Sequence, residues 1–123
     1  MKKIVVIALA AVCLFGCKQE KQELHDPLLR QQLTTMISTL DEQNVKAADQ
    51  AGKDLQAILS VNRGKFSKEQ KDKLISAMTI LEQSTVNFYS REIDHAADPK
   101  KPEASLDNIS DVKKELSELA ATF

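Results

Sequence analysis

From Leu29 to the last residue, Phe123, apolar side chains return at intervals of three and four, and few residues interrupt them. That period belongs to helices, whose successive turns bring such positions onto one face. The sharpest instance is the last: Leu106, Ile109, Val112, Leu116 and Leu119 share one face, Phe123 prolongs it, Asp107 and Asp111 come early, and Lys113 and Lys114 later. Acids early and bases late suit the helix dipole. Upstream, Leu74, Ile75, Met78, Leu81, Thr85, Phe88, Tyr89 and Ile93 trace a second stripe along a helix of some seven turns. Ser67-Lys68-Glu69-Gln70 is a capping box that opens it.

The first helical stretch starts at Asp26-Pro27, where aspartate serves as N-cap and proline suits the first turn. Leu29, Leu33, Met36, Ile37 and Leu40 line one face, and Ala47, Ala51, Leu55, Ile58 and Leu59 resume it after a polar gap, Asp41 to Asn44. Thr39-x-x-Glu42 would permit a new start there. The gap holds no proline or glycine, however, and Leu40, Asn44 and Ala47 keep the helical phase, so the pattern predicts one helix over 27–61 with room for a bend at 41–44. Its alanine-rich second half suits close approach of a neighbouring helix. Asn62-Arg63-Gly64 ends it, since glycine takes a positive φ at low cost. Asp98-Pro99-Lys100-Lys101-Pro102 ends the second helix in a stiff connection, and the third is predicted to begin near 104–107. The fold expected is all-α, an antiparallel three-helix bundle. With no Trp, one Tyr and three Pro, little supports a β-sandwich or barrel.

The first seventeen residues read differently. Lys2 and Lys3 precede an unbroken apolar run, Ile4 to Leu14, and the stretch closes on Phe15, Gly16 and Cys17. Eleven residues make a helix of about 16 Å, too short for a hydrocarbon core of about 30 Å, so an export signal is indicated rather than a permanent span. Leu14-Phe15-Gly16-Cys17 resembles the lipobox of bacterial lipoproteins, Phe15 being bulkier than the usual residue there. The resemblance implies cleavage after Gly16 and acyl chains on Cys17; it covers only the first seventeen residues and says nothing of the domain that follows. It also implies sorting by the following residue: Lys18, rather than Asp, favours the outer membrane if the host is Gram-negative.

The organisation expected is a signal peptide over 1–16, a lipidated tether over 17–26, whose 18–23 is wholly polar, and a helical domain over 27–123. Removing 1–16 leaves 107 residues, one small domain. Lys2 and Lys3 leave with it, so fifteen Lys and Arg face eighteen Asp and Glu, a net charge of −3; no broad basic surface is implied, and nucleic acid is not expected as a partner. Cys13 goes with the signal and Cys17 is taken by lipid, so no disulfide or cysteine metal site is expected.

Candidate chemistry is sparse. Glu92 and His95 stand at the i, i+3 spacing of bundle metal sites, but no second such pair accompanies them, and His25 sits in the tether. No phosphate loop or nucleophile elbow occurs, so no enzyme activity, cofactor or metal is expected. Arg63, Lys65, Lys68, Lys71 and Lys73 against Glu69 and Asp72 make one local excess of +3, an ordinary solvated end or a surface for acidic lipid or an acidic partner. Phe66 among them either packs near Gln70 and Lys71 or stays exposed as an anchor.

The function expected is that of a lipid-anchored envelope module with a protein partner, similar in general build to helical pilotins or to conjugation exclusion lipoproteins. The alternative is a small immunity or inhibitor lipoprotein that neutralises an exported toxin or enzyme. The last stripe, Leu106, Ile109, Val112, Leu116 and Leu119, is read first as closure of the bundle and second as a partner-docking face that swings on the proline-rich connection.

Overall fold

A computed structural model describes residues 23–123. The signal segment, Cys17 and the first part of the tether lie outside the described residues. Among those described there are four helices and no strand: α1 (Pro27–Thr39), α2 (Val45–Val61), α3 (Lys68–Ala97) and α4 (Ile109–Thr122). No described helix is long and apolar enough to cross a membrane.

The single helix expected over 27–61 is two. α1 starts as its cap dictates, Asp26 Oδ1 accepting from the backbone N–H of Leu28 at 3.0 Å and of Leu29 at 3.3 Å. It stops at Thr39, where the hydroxyls of Ser38 and Thr39 turn back onto the carbonyls of Thr35 and Met36. Leu40 then takes extended backbone, φ −73° and ψ 127°, and drives its side chain into the core. Asn44, not Thr39, caps the next helix, its side chain accepting from Ala47 N–H at 3.1 Å. A distant contact accompanies the break. The Glu42 carbonyl accepts from Leu106 N–H at 2.7 Å in place of the Lys46 N–H that a continuous helix would offer it. Three expected helices thus become four.

The remaining boundaries follow local chemistry closely. Gly64 has φ 83° after α2, as the sequence required. The Ser67 and Gln70 side chains form the expected capping box at α3. Phe66 is buried, its ring centroid 5.9 Å from that of Phe123, which settles it as a core residue. α4 begins later than 104–107, because the connection is fastened to α3: Ser84 Oγ donates to the Asp107 carbonyl, and Arg91 Nη1 donates to Asp107 Oδ1 at 2.7 Å and to the Ser105 carbonyl at 3.3 Å. Asn108 turns the chain into α4 with φ 59°, a left-handed conformation that asparagine tolerates better than most residues.

The helices alternate in direction. Arg30, near the start of α1, donates from Nε to the Ala120 carbonyl at 3.2 Å, which also accepts from Phe123 N–H, and from Nη2 to the Ala121 carbonyl at 3.4 Å, one of those the end of the helix leaves without a partner of its own. α1 packs on α4, α4 on α3, and α3 on α2. The buried alanines Ala48 and Ala51 on α2 and Ala77 on α3 admit close approach of neighbouring backbones, and α2 meets α3 as its small residues suggested.

One buried polar side chain holds the base together. Gln70 is fully buried, yet its Oε1 accepts from Leu24 N–H at 2.8 Å and Ser67 N–H at 3.0 Å, while its Nε2 donates to the Leu24 carbonyl at 2.9 Å and to Thr122 Oγ1 at 2.8 Å. Four bonds offset the cost of taking an amide out of water. They join the entering chain, the start of α3 and the end of α4.

Candidate partner-binding groove

α1 and α2 are consecutive and antiparallel, but they do not zip together along their lengths. The reason lies in how each spends its apolar side chains. α1 turns Leu29, Leu33 and Met36 inward, and α2 turns Ala48, Leu55 and Ile58 inward. What faces across the seam is Gln31, Gln32, Thr35 and Thr39 from α1, with Ala47, Gln50 and Asp54 from α2. Amides, hydroxyls, a carboxylate and a few methyls offer too little apolar area to draw the two helices together. An open groove of about 660 Å³ remains, with Met36 and Ala51 among its lining residues. Leu28 stands at one end, 77% exposed. From Leu28 to Thr39 the groove follows about 16 Å of helix, three turns of a ligand helix laid alongside.

Its electrostatics are nearly neutral. Among the described residues Asp54 is the only ionisable one lining it, and Gln50 Nε2 donates to Asp54 Oδ1 at 2.9 Å. The chemistry on offer is an apolar floor with an amide and hydroxyl rim, suited to recognition rather than to proton transfer or nucleophilic attack.

The stripe on the last helix is placed elsewhere. Leu106, Ile109, Val112, Leu116 and Leu119 are each at most 3% exposed and belong to the core. While α4 is packed they cannot meet a partner, and Ser84, Arg91 and Glu42 hold the connection that would have to swing.

α3 corrects a finer expectation. Its apolar residues form two lines, not one: Leu74, Ala77, Leu81 and Phe88 are buried, whereas Ile75, Val86, Tyr89 and Ile93 lie outside, with Val86 57% and Ile93 69% exposed. Beyond Phe88 no residue of α3 is buried, because a helix of thirty residues outruns partners of seventeen and fourteen. Tyr89 Oη donates to Asp49 Oδ2 on α2, and that bond, with some burial and the Asp49 charge, raises the phenol above its ordinary pKa. His95, in the last turn of α3, sits with Nδ1 2.6 Å from the Lys101 carbonyl, so that nitrogen carries the proton and donates. Among the described residues no three His, Cys, Asp or Glu side chains gather as metal ligands, and Glu92 and His95 stay an isolated pair.

The groove itself was not anticipated from the sequence. Its only advance signals are the polar gap at 41–44, which permits two helices, and the glutamine and threonine cluster at Gln31, Gln32, Thr34 and Thr35 beside the apolar face of α1. No protein family, curated protein or solved structure matches the chain, and the functional reading therefore rests on its own residues.

Proposed function

We propose that this protein is a lipid-anchored bacterial envelope lipoprotein, held by acyl chains on Cys17, that binds a protein partner in the groove between α1 and α2. The anchor is supported by Leu14-Phe15-Gly16-Cys17 behind a short apolar run. Two or three acyl chains, at about 0.8 kcal/mol per buried CH₂, make such anchoring stable. The observation that carries the binding role is the open seam, a groove of about 660 Å³ in a bundle whose other neighbouring helices pack side to side.

The occupant that fits is an amphipathic helix of about three turns. Its apolar side would lie over Leu28 and Ala47, the lining apolar residues that solvent reaches, and its flanks would exchange hydrogen bonds with Gln31, Gln32, Thr35 and Gln50. Small alanines in the lining let a partner backbone come close. A membrane-held adaptor of this kind suits an accessory of a secretion or conjugation machine, which must keep a mobile component near the outer membrane.

Two experiments test the two halves separately. Replacing Cys17 by Ser and fractionating cells should release the protein from membranes and abolish the acyl mass increment; unchanged partitioning and mass would end the anchor reading. For the groove, a photo-crosslinking residue at Thr35 or Gln50 should give one discrete adduct with the same protein from both positions, and none from the exposed Lys114 on α4. An equal adduct from Lys114, or no adduct from the groove, would refute the site.

A further inference from the structure

The lipid anchor and the basic excess around the α2–α3 turn are brought together by Gln70. Its side-chain amide holds both the N–H and the carbonyl of Leu24, at 2.8 and 2.9 Å, so the chain coming from Cys17 enters the bundle beside the first turn of α3. Only six residues lie between Cys17 and Leu24, a reach of about 25 Å when fully extended. α3, at thirty residues, spans about 45 Å to the opposite end. A tether that short, fixed at that end, brings the α2–α3 turn to the membrane and keeps the α3–α4 connection away from it.

The turn carries the charge such a surface would recognise. Arg63, Lys65, Lys68 and Lys71 are all exposed and have no ion-pair partner among the described residues. Lys73 is already engaged, with Glu118 at 3.3 Å and Glu115 at 3.9 Å. Glu69 and Asp72 oppose these four cations and leave the turn itself net positive, while Glu23 and Asp26 stand on the incoming chain beside Leu24. Val61, 75% exposed, adds an apolar side chain beside them. Basic side chains interleaved with an exposed apolar one are what an anionic interface attracts.

We propose that the α2–α3 turn, through Arg63, Lys65, Lys68 and Lys71, lies against anionic phospholipid headgroups and stands the bundle upright on the membrane. This rests on the reading of Cys17 as lipidated. It presents the α1–α2 groove sideways, parallel to the membrane normal, where an envelope partner can enter.

The mature chain has no cysteine besides Cys17, so single labels are available. Lipidated full-length Val61→Cys and Ala96→Cys proteins, labelled with a fluorophore and reconstituted into phosphatidylglycerol-containing or pure phosphatidylcholine vesicles, report energy transfer to a headgroup-labelled lipid. In the anionic vesicles transfer should be strong from position 61 and at background from position 96. The signal from position 61 should fall to its phosphatidylcholine level at 1 M salt, where the screening length drops from about 8 to about 3 Å. It should fall likewise when Arg63, Lys65, Lys68 and Lys71 are all changed to Glu, in a protein whose melting curve is checked to be unaltered. Equal transfer from the two positions, or a position-61 signal indifferent to lipid charge and salt, would overturn the orientation while leaving the anchor intact. A protein with no acyl groups on Cys17 by mass would leave both kinds of vesicle, and would overturn anchor and orientation together.

Discussion

α4 and the α1–α2 seam show opposite uses of the same kind of residue. α4 is a short helix of fourteen residues but packs on both flanks, against α1 and α3, and Leu106 before it and the four stripe members on it are all buried. α1 and α2 follow one another directly, joined by five residues, yet face each other across a groove. Adjacency in the chain thus decides direction but not contact. Contact goes to the faces with apolar area to lose, and the facing sides of α1 and α2 have little.

The largest effect expected falls on the closed side. Leu116→Ala removes a side chain with no exposure, and should cost about 2–5 kcal/mol. At about 4–8 °C per kcal/mol for a domain of this size, the melting temperature should fall by some 8 °C or more in a thermal scan followed by circular dichroism. An unchanged melting temperature would break the comparison, since it would free the stripe for docking.

Gln70→Ala comes next. It strips partners from Leu24, Ser67 and Thr122 at once, and the loss of buried amide bonds should destabilise by about 1–3 kcal/mol in urea titration. A loss no larger than that of an exposed glutamine would mean that water replaces the side chain there.

On the open side, stability and binding should separate. Thr35→Arg or Gln50→Arg places a long charged chain in the groove, and should leave stability within about 0.5 kcal/mol, as surface changes do. Either should abolish the groove adduct. A variant that lost both fold and adduct would show that the seam is part of the core after all.

The smallest effect concerns Arg91 and Asp107. The Arg91 guanidinium, donating to Asp107 and adding its charge, holds that carboxyl below its ordinary range, with a further bond from Asn87. A carboxyl whose folded pKa is lowered contributes stability above its unfolded pKa of about 3.9, and loses it as pH falls through the folded value. The melting temperatures of the wild type and Asp107→Asn should therefore differ at pH 7 and converge as pH falls below about 4. The pair is substantially exposed, so the difference should be small and should shrink in high salt. A gap that widens in acid would contradict the sign.

What was legible in the sequence was local. Asp26, Gly64 and the Ser67–Gln70 box place three boundaries, because each acts on backbone groups within a turn of itself. The break at Leu40 to Asn44 was not legible, since Leu40, Asn44 and Ala47 keep a helical phase while the bond to the Glu42 carbonyl comes from Leu106. Asn108 starts α4 late for a similar reason, with Asp107 fastened to Ser84 and Arg91 of another helix. Leu74 and Ile75, or Phe88 and Tyr89, are neighbours that fit one stripe equally well on spacing. Which of each pair turns inward depends on where α2 and α4 lie, so the exposed line on α3 was hidden in the buried one. The groove needed both lessons, two helices in place of one and a count of which faces were already spent.

The central claim is that α4 is a wall of the bundle and the α1–α2 seam its open side. Native-state amide hydrogen exchange tests it most directly, because opening free energies differ between a packed wall and a detachable arm. Amides of α4 from Val112 to Leu119 should exchange only through global unfolding, with the same free energy as those of α3 from Leu74 to Phe88. Exchange of α4 through a separate, much cheaper opening, with α3 still protected, would contradict the account and make the last helix the binding element.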